Sequence, residues 1–393
     1  VSTPELSTGR GLLFIELDGD GGHPAAWRNS RSNPDAALGP DRLTESVLAA
    51  ESAGFHAATF REGTSDVATA AGSGLLNALQ RAAFVAPLTR SIALVPEVDT
   101  VYTEPFHVST QLASLDYVSR GRAGWLVRAS PSRAEAAAVG REHADAGRRT
   151  REAAASIEVG RRLWDTWEDD AVIRDVETGR YLDVDRLHYA DFEGPDYSVK
   201  GPSIIPRPLQ GQLPVLAPAG LLTAEALAAG AADVLLVSAP TPELLAAELR
   251  ETAAALQHAG KATALIAELD VVLDARGQPA ADRLAGLEAN AAWESPRARF
   301  VGSARELTEL LAELLTVAAG VRLHPAVLDV ELEELAQLVL PELRRRYVLA
   351  ATTPDATFRA QLGLSRPASR YAAARAAVGH SAPVPAPGAT AGN

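Results

Sequence analysis

The chain has 393 residues, 47% of them hydrophobic, and carries a formal charge of -13 with a pI near 5.2. That length and balance allow one large buried core, whereas the acidic surface argues against nucleic acid as a partner, because tracking a phosphate backbone demands positive charge. No apolar run reaches the roughly 20 residues that span a bilayer, the first residues form neither a basic segment nor an apolar signal core, and the absence of cysteine excludes disulfides, thiolate metal sites and a cysteine nucleophile. Cytoplasmic residence with no membrane contact is the expectation.

In chain order, short apolar runs alternate with Ala/Leu-rich stretches of helical spacing, the pattern of a parallel α/β protein. The expected strands are Leu12 to Leu17, Ala57 to Phe60, Ile92 to Val95, Ala123 to Val127, Val215 to Ala217, Val234 to Val237, Ala264 to Leu273 and Val321 to His324. Several are apolar without alternation, as strands covered on both faces are. Helices are expected over Asp41 to Ala53, Leu75 to Ala86, Pro105 to Val118, Pro242 to Ala259 and Ala304 to Ala318, with a closing helix from Glu331 to Arg346. Eight expected strands, with helical stretches between several of them, are the number that a TIM (β/α)8 barrel over residues 1–375 needs, with insertions at the C-terminal face of its strands. The irregular segments Gly19 to Pro40 and 131–212 are the expected insertions, the second lying over the barrel mouth. The run 376–393, rich in Ala, Pro and Gly, has nothing to bury and reads as a flexible tail.

In such a barrel the chemistry sits just past the carboxyl ends of the strands. The polar candidates are Asp18, Asp20 and His23 after the first strand, Arg61 and Glu62 after the second, Glu97, Asp99 and Thr100 after the third, and Arg128 and Ser130 after the fourth. Gly220 and Thr223 follow the fifth, Ser238 the sixth, Asp274 the seventh and His324 the eighth. His23 lies on a glycine-rich loop beside Trp27 and reads either as a site residue or as an ordinary loop histidine. His107 opens a helix, where the helix dipole favours a neutral ring; it is either a hydrogen-bond donor to substrate or part of a helix cap. His324 reads as the structural end of a strand. No metal-binding spacing, phosphate loop or dinucleotide fingerprint is present, and Glu168, Asp169 and Asp170 read as a solvated acidic turn or a gate.

The block from Thr103 to Ser130, Thr-Glu-Pro-Phe-His-Val-Ser-Thr-Gln-Leu-Ala-Ser-Leu-Asp-Tyr-Val-Ser-Arg-Gly-Arg-Ala-Gly-Trp-Leu-Val-Arg-Ala-Ser, joins a strand end, a helix and the next strand. It resembles the signature of the bacterial luciferase-like, flavin-dependent monooxygenases. Further blocks are similar to the nitrilotriacetate monooxygenase and pristinamycin synthase branch of that superfamily: His23 to Arg28, Leu163 to Asp175, Gly201 to Gly211 and Leu362 to Tyr371. The resemblance implies a TIM barrel that takes reduced FMN from a separate flavin reductase, reacts it with oxygen and oxygenates a small organic substrate, in a dry pocket with few, well-aimed donors. It also implies a homodimer. Carried over residue by residue, it implies Glu62, Thr100, Ala129, Ser130, Gly220 and Leu221 around the cofactor; on that reading His23 and His107 are the candidate catalytic proton donors, and Trp27, Trp125 and Leu126 the candidate walls of the substrate pocket. The chain departs from the family at Leu126 and Ala129, where an amide and a hydroxyl are usual, at Thr150, where Arg149 lacks its usual tyrosine neighbour, and at Pro218-Ala-Gly-Leu-Leu222, which lacks the two hydroxyls of the phosphate segment. A deazaflavin-dependent hydride transferase, and a degenerate barrel acting as a binding or partner subunit, are the alternatives.

Overall fold

The computed structural model describes residues 10–31, 38–63, 74–260 and 263–372. Eight parallel strands close into a cylinder: β1 (Leu12–Glu16), β2 (Ala57–Phe60), β3 (Ala93–Asp99), β4 (Trp125–Arg128), β5 (Val215–Pro218), β6 (Val234–Val237), β7 (Ala264–Leu273) and β8 (Gly320–Pro325). Each pairs with the next, and β8 pairs back onto β1 with Gly320 opposite Leu12, so the sheet has no free edge where the ring closes. This is the expected TIM barrel, and each expected strand overlaps one of the eight.

Residue alternation along each strand sorts side chains between two layers. Leu12, Phe14, Ala57, Val95, Leu126, Leu216, Leu236 and Ile266 face one another inside the barrel. Leu13, Ile15, Phe60, Leu94, Trp125, Val215 and Leu269 face outward and pack under the helices. Those helices include α1 (Pro40–Ala53), α2 (Ala78–Val85), α3 (Pro105–Val118), α4 (Ala146–Asp165), α5 (Ala224–Ala228), α6 (Pro242–His258) and α7 (Ala304–Leu314). An extra strand, Ala298–Gly302, pairs with the upper half of β7 outside the ring. Its sequence, five residues interrupted by Arg299, carries no apolar run to announce it.

The amino-terminal end of the barrel is stoppered by the chain's own C-terminal arm. Phe358 and Leu362 join the interior cluster, with Phe358 stacked at a tilt 5.9 Å from Phe14. Gly124 makes room for this plug: a Cβ there would stand 2.7 Å from the Phe358 ring. Burying each such side chain contributes about 1.5–3 kcal/mol.

The segment 131–212 does not lie over the mouth as one insertion. Residues 129–145 cross the carboxyl-end rim, α4 then descends along the barrel wall, and residues 166–212 reach the opposite end, except that Phe192–Val199 runs back along α4 to pack near Phe106 and to bring Asp196 within 3.7 Å of Arg148. There Gln210 donates to Asp116 at 2.6 Å and to the Ala123 carbonyl, just before β4, at 2.8 Å. Arg207 pairs with Asp165 at 2.9 Å and donates to the Pro367 carbonyl at 2.9 Å. Glu168, Asp169 and Asp170 hold His188, Arg366 and Arg186 at that end, far from any gate over the mouth. Among the described residues no helix is long and apolar enough to cross a membrane. The expected tail, 376–393, lies outside the described residues.

Candidate active site

Inward-facing positions that are apolar in the lower barrel become charged at its carboxyl end. On β1 the inward series runs Leu12, Phe14, Glu16; on β7 it runs Ala264, Ile266, Glu268, Asp270; on β8 it runs Gly320, Arg322, His324. The result is a buried polar basin above an apolar floor of Leu126, Leu216 and Leu236.

Arg322 is its hub. The guanidinium donates to Glu16 at 2.7 Å, to Glu268 at 2.8 Å and to the Thr59 hydroxyl at 2.9 Å. His324 stands between the same two carboxylates, 3.3 Å from each, and Ser238 donates to Glu268 at 2.6 Å. Burial pushes the Glu16 and Glu268 carboxyls upward, but facing His324 and Arg322 outweigh it and hold both below their usual range.

Around this hub stands a rim of further ion pairs. Asp18 accepts from Arg81 at 2.6 Å and from the Arg61 backbone at 2.8 Å. Arg297 pairs with Asp270 at 2.6 Å, and Arg128 with Glu135 at 2.8 Å. Asp99 fastens the ends of β3 and β4 by accepting from the backbone of Ser130 at 2.7 Å and of Tyr102 at 2.6 Å. Glu97 is different: its only hydrogen-bond donor among the described residues is the Glu62 backbone N–H at 3.0 Å. Burial therefore dominates and pushes its carboxyl up to about 7, against the pull of Arg322 and Arg128. A half-buried acid pushed up to about 7 suits proton transfer at physiological pH.

The residues singled out from the sequence fall in several places. Glu62 lies at the rim beside Glu97, but its carboxylate accepts from Asn77 at 2.7 Å and from the Ala78 backbone at 3.3 Å, and so caps α2. The Thr100 hydroxyl donates to the Arg128 carbonyl at 2.8 Å, and the Ser130 hydroxyl accepts from Arg128 and from Ser132, each at 3.1 Å. Ala129 is half-buried among outward-facing groups. Leu126 forms part of the basin floor, whereas Trp125 takes the outward position on β4 and packs edge-on against Trp164, 6.3 Å away, and so lines no pocket at the mouth. His23 is buried against Trp293 at 5.3 Å, with Nδ1 accepting from the Ala25 backbone; desolvation lowers its pKa, and no hydrogen bond among the described residues joins it to Glu62 or Thr100. His107 is exposed on the first turn of α3, where its ring meets Gln111 at 3.1 Å, and the helix cap is Glu104. Trp27 is exposed, with the Arg28 guanidinium 4.6 Å above its ring. Gly220 and Leu221 form a turn after β5.

Glu16, Thr59, Glu268, Asp270, Arg297 and Arg322 were not singled out from the sequence. For all but Arg297, which enters from a loop, the signal is a charged or polar residue at an inward position, two residues apart, near the end of an otherwise apolar run.

A family description, luciferase-like monooxygenase, matches residues 20–356. The chain belongs to that family. Among luciferase-like monooxygenases it is 35% identical over 228 residues to N-acetyl-S-(2-succino)cysteine monooxygenase of Bacillus subtilis (strain 168), covering 57% of this chain and 51% of that protein. It is 38% identical over 169 residues to nitrilotriacetate monooxygenase component A of Aminobacter aminovorans, covering 42% of this chain and 37% of that one. The matched segments thus span about half or less of these relatives. A crystal structure of a long-chain alkane monooxygenase shares the fold with a TM-score of 0.78 at 18% identity, over 90% of this chain and 95% of that chain.

Luciferase-like monooxygenases imply a flavin, and the residues present can be tested against one. The phosphate end does not fit the turn after β5. Leu221 and Leu222 bring no hydroxyl, α5 is only five residues long, Thr223 already caps it, and Glu225 places a carboxylate in its first turn. An anion there meets negative charge where it needs donors. The mouth itself retains orphaned buried polar atoms, Arg61 Nε and Asp270 Oδ2, that are consistent with a polar ligand above the basin.

Proposed function

We propose that this chain is the oxygenase part of a two-component monooxygenase, using O2 and FMN reduced by a separate reductase to oxygenate a small organic substrate. The observation that carries the reading is the buried basin at the carboxyl ends of the strands. A structural core gains little from burying Glu16, Glu268, Arg322 and His324 together, because well-packed apolar residues of equal volume are as stable or more so. Membership of the luciferase-like monooxygenases and the designation of one relative as a "component A" support the same reading. Reduced flavin, when bound, would supply the electrons for oxygen activation. The chain's own share is to exclude water over the Leu126, Leu216 and Leu236 floor and to hold a proton on Glu97, with the flavin retained chiefly through its ring. A cytoplasmic homodimer completes the proposal.

A second reading is favoured by the turn after β5: a luciferase-like barrel that binds or partners without turning over. The test is incubation with a flavin reductase, NADH, FMN and candidate substrates under isotopically labelled oxygen. Label entering the product supports the oxygenase. In a parallel incubation supplied with reduced or oxidised deazaflavin in place of FMN, a product reduced or oxidised without label and without oxygen uptake would point to a deazaflavin-type hydride transferase, and a protein inert in both incubations to the partner subunit.

A further inference from the structure

Two of the basin's arginines have hydrogen-bonding capacity that the protein does not use. Arg61 follows β2, anchored through its backbone: its N–H donates to Asp18 and its carbonyl accepts from Arg81. Its guanidinium makes no ion pair and donates no hydrogen bond among the described residues, and its Nε is buried. Arg297 enters from the loop before the extra strand and uses Nε on Asp270, leaving its terminal nitrogens without a protein acceptor among the described residues. The two lie over the same floor, since Arg61 acts on Glu16 and Arg297 acts on both Glu16 and Glu268. Arg61 also feels the charge of Arg297 as well as that of Glu16, Asp18 and Glu97, so the two guanidinium groups share one basin.

Of these donors Arg61 Nε is buried, and a buried donor without an acceptor is costly unless a ligand completes it; the terminal nitrogens of both arginines are open to whatever enters the mouth. Asp18, Glu16, Glu268 and Asp270 are already engaged by Arg81, Arg322 and Arg297, so the mouth is close to charge balance and does not repel an incoming anion as a bare acidic cluster would. Arginine's planar fork matches a carboxylate in two-point contact better than it matches a neutral carbonyl. We propose that Arg61 and Arg297 form a clamp for a carboxylate group, so that the substrate of this site is a small organic acid held by its carboxylate beneath the barrel mouth. The assignment of this ligand as a substrate rests on the oxygenase reading; the clamp itself needs neither flavin nor oxygen.

The experiment is titration calorimetry on the flavin-free protein with succinate, its neutral analogue succinamide, and inorganic phosphate. Saturable succinate binding is expected, with succinamide and phosphate bound at least about tenfold more weakly. Arg61→Gln and Arg297→Gln should each weaken succinate by about tenfold or more, while Arg90→Gln, at an exposed pair with Asp355, should change nothing. If circular dichroism shows either glutamine variant unfolded, Arg61→Lys and Arg297→Lys, which keep the charge but lose the fork, should show a smaller but measurable loss. Equal affinity for succinate and succinamide, phosphate bound as tightly as succinate, affinity indifferent to both substitutions, or no saturable binding by about 20 mM would each overturn the clamp. Because no oxygen chemistry is read, a working clamp on a protein that fails to oxygenate would leave the clamp standing and defeat only the oxygenase.

Discussion

Glu97→Gln is expected to stabilise the protein above neutral pH and to do little in acid. Its carboxyl is pushed from an ordinary value of 4.5 to about 7 by burial. The folded chain therefore holds a proton that the unfolded chain has released, and the folded state loses stability as pH rises from about 4.5 through 7. A displacement of about two and a half pH units, at about 1.4 kcal/mol each, corresponds to about 3 kcal/mol once both states are ionised. Glutamine keeps an oxygen for the Glu62 N–H and removes the charge. Urea unfolding near pH 5 and near pH 8.5 should show an advantage for the variant below about 1 kcal/mol in acid, rising to about 3 kcal/mol in base. An advantage that is the same at both pH values, or that shrinks as pH rises, would refute the assignment of Glu97 as a half-buried acid protonated near neutrality.

Arg322→Met should cost about 3–5 kcal/mol in chemical unfolding, because it removes the guanidinium shared by Glu16 and Glu268 and leaves the two carboxylates with only the His324 ring between them; a loss under about 1 kcal/mol would mean that the carboxylates find water instead. Gly124→Ala should cost about 1–3 kcal/mol by driving a methyl group into the Phe358 ring, and Phe358→Leu in the same chain should recover part of that loss in a double-mutant cycle. FMN and riboflavin should quench protein fluorescence with dissociation constants within about threefold of one another, since the turn after β5 gives the phosphate no charge-assisted donor, and Leu221→Ser with Glu225→Gln should tighten FMN selectively. A preference of about a hundredfold for FMN in the unaltered chain would contradict that account of the turn.

The barrel was legible because each of its strands is an apolar run flanked by turn residues, and closing a ring of parallel strands requires little else. What escaped was faced. Leu12 to Leu17 reads as apolar until Glu16 is seen to share a side with Leu12 and Phe14, and the same period brings out Glu268, Asp270 and Arg322, and moves His324 from a structural strand end to a place between Glu16 and Glu268. Period two also decides between Trp125 and Leu126, one outward and one inward, which residue type does not. The helix α4 was hidden by its arginines and by Ala153, Ser156 and Gly160, small residues that dilute the hydrophobic signal of Ile157, Val159, Leu163 and Trp164 on its buried face. Overlooking it turned a wall helix and an opposite-end loop cluster into one imagined lid. Likewise Glu62, Thr100 and Ser130 were found at the right rim, but sequence cannot show that a cap, a strand end and a loop already engage their polar atoms.

The central claim is that the charged basin inside the carboxyl end of this barrel receives a reduced flavin. Anaerobic titration of the protein with reduced FMN, followed by tryptophan fluorescence, tests it without knowledge of the substrate. One equivalent per chain with a dissociation constant at or below about 100 µM, weakened at least about tenfold by Glu268→Gln, is the expected result. A signal that does not saturate by about 1 mM, or that is indifferent to Glu268→Gln, would contradict it.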